Sequence, residues 1–217
     1  MGKRAAMLLE FVKSAAVTLL VTVDPPGLAP IFLGVTAGMS AAHRRQVAWR
    51  ASLIGFAILA IFGFVGDAML GALGISLAAF RIAGGLLLFT IAFEMVFEMR
   101  AKRKSSTVAT AITQDHIRNV AAFPLAIPLI AGPGAITATI LLAGRTGGDP
   151  AHVTSLLIIA ALVCLTCWAT FMAAERISGL LGVTGNVVLT RLLGLVLAAL
   201  AVQFVIDGVK AVAASAG

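Results

Sequence analysis

Residues Ser14 to Gly38, SAAVTLLVTVDPPGLAPIFLGVTAG, decide the fold of this chain. Apolar residues fill both ends of the segment, and Asp24-Pro25-Pro26-Gly27 stands at its centre. A helix needs about 20 mostly apolar residues to cross a bilayer, and this segment is long enough. The segment therefore predicts a membrane span that is interrupted near its middle.

The composition of the whole chain also indicates a membrane protein. Of the 217 residues, 60% are hydrophobic and only 12% are charged, whereas soluble domains carry about a quarter charged residues. The formal charge of +7 is also typical of proteins that bind nucleic acid. The cations lie in short segments between apolar runs, however, as they do in membrane proteins. We therefore expect the lipid bilayer, and no nucleic acid, as a partner.

Six apolar segments have the length of transmembrane helices, so the predicted fold is all-α and polytopic, with residues 1–217 forming a single membrane domain. The N-terminus resembles a signal peptide, but Glu10 and Lys13 interrupt its apolar run and no small-residue cleavage site follows. We expect a retained first span. The predicted spans are Ser14–Gly38, Val47–Leu70, Ala78–Phe97, Val120–Gly144, His152–Ala173 and Leu189–Val209.

The distribution of Lys and Arg predicts the orientation of the spans. The loops after spans one, three and five hold ten of these residues: Arg44, Arg45, Arg50, Arg100, Lys102, Arg103, Lys104, Arg118, Arg176 and Arg191. The other side holds six: Lys3, Arg4, Lys13, Arg81, Arg145 and Lys210. Since cations concentrate on the cytoplasmic side, we expect loop 99–117 inside and both termini outside.

The second half of the chain repeats features of the first. Pro26-Gly27 recurs as Pro133-Gly134, 107 residues later. Arg and Gly at the start of the third span, Arg81 to Gly84, recur in the sixth, Arg191 to Gly194, 110 residues later. The order and nearly constant offset indicate a duplication.

Each repeat holds three spans, about residues 8–98 and 118–210. An odd number of spans makes the second repeat enter the membrane from the opposite face. The sequence therefore predicts two inverted three-helix repeats, an arrangement common in secondary transporters.

The fourth span is interrupted like the first, at Ala131-Gly132-Pro133-Gly134. Proline removes a backbone donor and glycine permits unusual dihedrals, so both clusters should break their helices near the bilayer centre. Half-helix N-termini after Gly27 and Gly134 would suit a carboxylate, and C-termini near Val23 and Ile130 would suit an ammonium group or a cation. A zwitterionic amino acid fits both. The alternative is that the clusters only kink their helices, because Gly and Pro are frequent in membrane spans.

The candidate substrate-binding residues surround the two interruptions: Thr22, Asp24, Pro25, Gly27, Gly132, Gly134 and Thr137. Asp24 is the strongest of them, because a carboxylate near the midplane is costly and is a functional candidate by default. Its structural alternative is a helix cap. For the two threonines the alternative is a hydrogen bond to their own helix.

Three charged residues are candidates for ion coupling or gating, namely Glu94, Arg81 and Arg191. For the two arginines the structural alternative is anchoring, since long charged side chains near span ends reach the interface. For Glu94 the alternative is snorkelling or pairing with a neighbouring cation. Cys164 and Cys167 have the spacing of a metal-binding pair, but no second pair accompanies them in the span. We interpret them as packing residues and expect no metal, no cofactor and no catalytic site.

Three segments closely resemble the MarC family of bacterial inner-membrane proteins: DPPGLAPIFL at 24–33, GISLAAFRIAGG at 74–85 and FPLAIPLIAGPGAI at 123–136. The resemblance covers nearly the whole chain. It implies a six-span protein of the bacterial inner membrane and transport of small neutral amino acids, with both interruptions lining the site. Pro26 departs from the aliphatic residue expected at its position, which puts the local geometry of the first interruption in question.

The sequence thus predicts a secondary transporter or exporter of small solutes, with small neutral amino acids as the expected substrates. It leaves open coupling to Na+ or H+ and assembly into a homo-oligomer. An alternative is a non-transporting membrane scaffold or assembly factor. A membrane-embedded enzyme is disfavoured, since no nucleophile, histidine and carboxylate constellation is present.

Overall fold

The computed structural model describes residues 2–99 and 121–215. This part of the chain is helical, and it contains no strand. Its helices are α1 (Gly2–Val23), α2 (Pro25–Val35), α3 (Ala41–Ala72), α4 (Leu77–Val96), α5 (Ala121–Ile130), α6 (Pro133–Gly144), α7 (Pro150–Met172) and α8 (Ala174–Ser215). The basic residues of the predicted cytoplasmic loop, Arg100, Lys102, Arg103, Lys104 and Arg118, lie outside the described residues.

Five helical segments within the described residues are long and apolar enough to cross a membrane: Arg4–Val35, Ala41–Ala72, Leu77–Val96, Pro150–Met172 and Thr184–Ala214. Helix α6 is apolar but has only 12 residues, fewer than the roughly 20 that a span requires. The prediction of an all-α, polytopic membrane protein is confirmed at this level.

Most helices extend beyond the apolar cores that define the predicted spans. Helix α3 begins at Ala41 because the hydroxyl of Ser40 caps it, accepting a hydrogen bond from the His43 backbone N–H at 3.3 Å. Helix α8 starts well before the predicted sixth span and contains one non-helical residue, Gly182, with φ of 57°. Caps and polar first turns add helical residues outside the apolar run, so the apolar pattern alone underestimates the length of these helices.

Helices α1 and α2 pack successively along α7 in the same direction. Phe11 of α1 contacts the ring of His152, with centroids 5.0 Å apart. Phe32 of α2 stacks on Phe171, with centroids 4.6 Å apart. The offset between contacting residues is nearly constant, so α1 and α2 together follow the length of α7 despite the interruption between them.

Helices α5 and α6 pack along α3 in the same manner. A β-carbon at Gly55 would lie 2.6 Å from Cγ2 of Ile130 in α5. A β-carbon at Gly66 would lie 2.8 Å from Cγ1 of Ile140 in α6. The glycines of α3 therefore let both short helices approach its backbone closely, as small residues do at helix contacts in membranes.

Helices α4 and α8 form an antiparallel pair. A β-carbon at Gly85 would lie 2.7 Å from the carbonyl oxygen of Ala201, and one at Gly194 would lie 3.1 Å from that of Ala92. Small residues on both helices thus bring the two backbones together, and dispersion between closely packed atoms stabilises the pair in lipid. This pair forms one wall against which α6 packs through α4.

Candidate functional site

The first interruption lies at Asp24. Helix α1 ends at Val23, Asp24 adopts left-handed dihedrals with φ of 59° and ψ of 63°, and α2 begins at Pro25. Oδ1 of Asp24 accepts a hydrogen bond from the Gly27 backbone N–H at 3.2 Å. Asp24 is only 3% exposed. The carboxylate therefore caps the N-terminus of α2 inside the bundle, as the structural alternative supposed.

Gly27 leaves room for this cap. A β-carbon at Gly27 would collide with Oδ2 of Asp24 and lie 2.8 Å from its Cγ. The expectation that the half-helix begins after Gly27 is wrong, since the first turn of α2 already includes Gly27. The reason is that the fixed φ of Pro25 suits the first helical position, where its missing N–H leaves no intrahelical hydrogen bond unmade.

The second interruption lies at Ala131 and Gly132, between α5 and α6. Helix α5 is π-helical, and the Ala131 N–H donates to the Ala126 carbonyl at 2.9 Å. A β-carbon at Gly132 would collide with the Pro128 carbonyl oxygen, so the turn requires glycine there. Helix α6 begins at Pro133, again with proline at the first helical position, so the expectation that it begins after Gly134 is also wrong.

The N-termini of α2 and α6 differ in their caps. At α2 the Asp24 carboxylate accepts a backbone N–H, whereas at α6 the cap residue is Gly132 and no described side chain caps the helix. Gly134 and Ala135 in the first turn of α6 are buried. Their backbone N–H groups stand at the positive end of the α6 dipole, where an anion is stabilised.

The structure brings the two interruptions into contact. A β-carbon at Gly134 would lie 3.2 Å from Cγ2 of Thr22, and it would collide with Cδ1 of Ile91 in α4. The Thr22 hydroxyl donates a hydrogen bond to the Thr18 carbonyl at 2.6 Å, within its own helix, as the structural alternative for this residue supposed. The start of α6 is therefore packed between the end of α1 and the middle of α4.

This contact changes the predicted role of Gly134. We expected its missing side chain to admit a solute, but Ile91 and Thr22 occupy the space in front of its α-carbon. In this conformation Gly134 serves close helix packing. A solute at the start of α6 would reach its backbone N–H groups only if α1 or α4 moved away.

The remaining predicted site residues lie apart from the two interruptions or at their edge. Thr137 is buried in α6 with Cγ2 2.7 Å from a β-carbon at Gly84 of α4. Glu94 is half-buried in α4, three residues after Ile91, and so lies about one helical turn from the start of α6.

Arg81 and Arg191 lie at opposite ends of the α4–α8 pair. Nη2 of Arg191 lies 2.5 Å from Oε1 of Glu98, just after α4, and both side chains are partly exposed. Arg81 is half-buried near the start of α4, about 25 Å along the axis from Glu98 at 1.5 Å per residue. Neither arginine therefore lies beside the two interruptions.

The sequence analysis missed a polar cavity at the end of the bundle that holds the N-terminus. The cavity measures about 250 Å³, and Glu10, Ser14, Arg145 and His152 line it together with Met7 and Phe11. The Arg145 guanidinium lies 3.5 Å from the Ser14 hydroxyl oxygen and 5.9 Å from the centre of the Phe204 ring. Glu10 inside an apolar run was the available signal, but its neighbours come from distant segments.

Asp149 caps α7 beside this cavity. Its Oδ1 accepts the Ala151 N–H at 3.0 Å, and its Oδ2 lies 3.1 Å from Nδ1 of His152. The hydrogen bond from Ala151, followed by the one from His152, holds the pKa of the Asp149 carboxyl below its usual value. A carboxylate whose pKa is lowered therefore lies next to the His152 imidazole that lines the cavity.

Comparison with known proteins identifies relatives along almost the whole chain. The profile of the MarC family of integral membrane proteins matches residues 9–213. The chain is 36% identical over 194 residues to the UPF0056 membrane protein YhcE of Escherichia coli, covering 89% of each chain. It is 34% identical over 209 residues to the UPF0056 membrane protein YvbG of Bacillus subtilis, covering 94% of this chain and 96% of that protein.

An archaeal relative shows similar agreement. A UPF0056 membrane protein of Archaeoglobus fulgidus is 36% identical over 200 residues, covering 92% of each chain. No solved structure matches this chain significantly. The matches to the profile and to these relatives confirm the resemblance noted in the sequence: the chain belongs to the MarC family of integral membrane proteins.

Proposed function

We propose that this protein is a secondary transporter of small neutral amino acids, with its solute site where the two interrupted helices meet. The observation that carries the proposal is the contact between Thr22, at the end of α1, and Gly134, at the start of α6. Two helix ends that face each other inside a bundle bring backbone donors and acceptors to one place, where they are buried in protein. Such pairs suit the binding of a charged solute near the midplane.

The caps suggest how a zwitterion would be oriented. Asp24 places a carboxylate at the N-terminus of α2, and the matching position 107 residues later is Ala131, which has none. The carboxylate of a solute amino acid takes the equivalent place at α6, accepting the N–H groups of Gly134 and Ala135. Its ammonium group then lies toward the last carbonyls of α1 and α5 and the charge of Asp24.

The helix contacts support an arrangement of six spans in two inverted repeats. In this proposal α1 and α2 form the first span, and α5 and α6 form the fourth. Exchanging the first four helices for the last four, in order, turns the contact of α2 with α7 into that of α6 with α3. It likewise turns the contact of α2 with α8 into that of α6 with α4. A two-fold axis in the membrane plane accounts for this correspondence.

The polar cavity at the N-terminal end suits solute access. It lies between α1 and the segment joining α6 to α7, and the same α1 leads from Ser14 to Thr22 at the interruption. Arg145 and Glu10 offer opposite charges to a zwitterion that approaches from this side. In the predicted orientation this side is external, and the opposite side, with Arg45 and Arg50, is cytoplasmic.

A non-transporting scaffold is the second candidate, and the close packing at the interruptions favours it. Thr22, Asp24, Gly132 and Gly134 are all buried, as in a permanently closed core. A transporter in a closed conformation has the same packing. The two functions therefore differ in whether the contact between α1 and α6 opens.

The experiment that tests the proposal is solute flux in proteoliposomes. Purified protein is reconstituted, and exchange of labelled glycine, alanine, serine and threonine is compared with that of labelled glutamate and lysine, with and without Na+ and H+ gradients. We expect the neutral amino acids to exchange faster than in protein-free liposomes, whereas glutamate and lysine should exchange at the protein-free rate.

A matched pair of variants controls for nonspecific leak. Gly132→Ala should abolish exchange, because its methyl group meets the Pro128 carbonyl oxygen. Ala199→Val should not, because Ala199 is exposed on α8. If no amino acid exceeds the protein-free rate under any gradient, the scaffold replaces the transporter.

A further inference from the structure

A lipid-facing groove runs between α3 and α7, away from the interrupted helices. It measures about 240 Å³, and its lining includes Trp49, Ser52 and Phe56 of α3 with Cys164 and Trp168 of α7. The two indole rings meet edge to face, with centroids 6.4 Å apart. Most of the lining is apolar, so the groove suits a hydrocarbon chain.

One polar group in this groove lacks a hydrogen-bond partner. Ser52 is 4% exposed, and its hydroxyl has no partner among the residues that the structure describes. On α7, by contrast, the hydroxyls of Ser155 and Thr166 donate to the carbonyl one turn earlier, as do several hydroxyls elsewhere in the described helices, namely those of Thr22, Thr36, Thr90 and Thr139. A buried polar group without a partner is costly. The groove therefore offers Ser52 to an acceptor from outside the protein.

A cation, Arg45, lies beyond the tryptophan end of the groove, and a second, Arg50, directly follows Trp49 on a neighbouring face of α3. Arg45 precedes Trp49 by four residues and so lies on the same face of α3, one turn farther out. Arg45 and Arg50 are exposed, and neither forms a salt bridge with a described carboxylate, whereas Arg44 pairs with Glu175 at 2.6 Å. Among the described residues, this end of the groove thus carries positive charge that no salt bridge neutralises.

The order of groups along α3 matches the order of groups in a phospholipid. Arg45 stands outermost, followed by Trp49, whose amphipathic ring suits the headgroup level, then by Ser52 and Phe56. Ser52 lies about 10 Å deeper than Arg45 at 1.5 Å per residue, the direction in which ester carbonyls follow the phosphate. Basic pockets between transmembrane helices bind anionic headgroups.

We infer that the groove is a binding site for an anionic phospholipid. Its phosphate contacts Arg45, with the charge of Arg50 nearby, an ester carbonyl accepts a hydrogen bond from the Ser52 hydroxyl, and an acyl chain lies along Phe56 and Cys164. Occupancy links the cytoplasmic-side ends of α3 and α7 in the predicted orientation. The inference is independent of the proposed transport function.

Tryptophan fluorescence tests this site directly, because Trp49 and Trp168 are the two tryptophans of the chain and both line the groove. The protein is reconstituted in phosphatidylcholine vesicles that contain increasing mole fractions of dibrominated phosphatidylglycerol or dibrominated phosphatidylcholine. Bromine quenches only tryptophans that it approaches. We expect phosphatidylglycerol to quench with a relative binding constant about fivefold or more above that of phosphatidylcholine.

Three variants locate the effect. The double variant Arg45→Gln, Arg50→Gln should bring the two lipids to equal quenching, and raised salt should act in the same direction. Ala161→Phe fills the groove from an exposed position on α7 and should reduce quenching by both lipids, whereas Ala199→Phe on α8 should not. Monodispersity in detergent verifies that each variant is folded.

Two results would overturn the inference. Equal quenching by both lipids in the parent would mean that only unselective boundary lipid enters the groove. Weak quenching by both, together with cross-linking between copies that carry Leu53→Cys, would mean that a second copy of the chain covers the groove.

Discussion

The packing of Gly134 makes a quantitative prediction. In Gly134→Ala the new methyl group meets Cδ1 of Ile91 and lies 3.2 Å from Cγ2 of Thr22. Overpacking of this kind typically costs about 1–3 kcal/mol. Because the nearest atom is the end of a flexible side chain in α4, we expect the lower part of that range, about 1 kcal/mol.

Removing the opposing methyl group should relieve the strain. Ile91→Val deletes Cδ1 and alone should cost about 0.5–1.5 kcal/mol. In the double variant the alanine methyl fills the space that Cδ1 leaves, so the two effects should not add. We expect a favourable coupling of about 1 kcal/mol in the double-mutant cycle.

Thermal unfolding of the purified protein in one detergent measures this cycle. The four proteins are compared at equal protein and detergent concentrations, so that the differences reflect the side chains. Additive effects, with a coupling near zero, would refute the contact between α6 and α4 on which the closed conformation depends. As the uncoupled control, a second double-mutant cycle combines Gly134→Ala with a substitution of Val202, an exposed residue of α8, instead of Ile91.

Four other predictions follow from charge and exposure. In a protein without Cys164 and Cys167, an impermeant thiol reagent on intact spheroplasts should label Ser215→Cys but not Ser105→Cys, and the reverse pattern would invert the topology. Asp24→Asn keeps a capping side chain but removes the charge, so flux should fall about tenfold or more in a protein that stays monodisperse; unchanged flux would leave Asp24 only its cap. Because the pKa of Asp149 is lowered on folding, its carboxylate stabilises the protein at pH values above the usual pKa of 3.8, and this stabilisation is lost as pH falls through the lowered pKa. Asp149→Asn should therefore lower the melting temperature at pH 7 but not at a pH well below the lowered pKa. An equal decrease in melting temperature at both pH values would contradict this linkage. Arg191→Gln breaks the partly exposed pair with Glu98 and should cost less than about 1 kcal/mol with flux retained, whereas abolished flux in a stable protein would return Arg191 to a gating role.

The helix ends at the interruptions follow from local chemistry and could be read from the sequence. Helix α1 ends at Val23 and α5 at Ile130, where the sequence analysis placed the half-helix C-termini. Proline and glycine act on their own backbone and on that of the preceding turn, so their effect requires no knowledge of the fold. The starts at Pro25 and Pro133 follow from the same chemistry, through the preference of proline for the first helical position, which the expectation overlooked.

The surroundings of the site could not be read in this way. The contact of Gly134 with Thr22 and Ile91 joins three helices that are distant in sequence. A glycine in the sequence does not show whether a solute or a side chain lies next to it in the fold. Arg145 and Glu10 share a cavity for the same reason. Hydropathy also does not separate a buried helix from a lipid-facing one, so it did not indicate that most of α6 is buried.

The buried position of α6 affects the choice of control variants. Most of its residues from Gly134 to Leu142 are buried, so this helix offers few lipid-facing sites for a neutral substitution. Ala199 on α8 is exposed and serves instead. A larger aliphatic residue there meets lipid, where it costs little.

Solute binding to purified protein is the measurement that tests the central claim most directly. Equilibrium binding of labelled alanine is compared in the parent, Gly27→Val, Gly134→Val and Ala199→Val, each as monodisperse material. Valine at Gly27 displaces the Asp24 carboxylate, and valine at Gly134 forces Thr22 and Ile91 apart from the start of α6. We predict that both weaken binding about tenfold or more while Ala199→Val binds like the parent. If Gly27→Val and Gly134→Val bind alanine as tightly as the parent, the meeting point of the two interrupted helices is not the solute site.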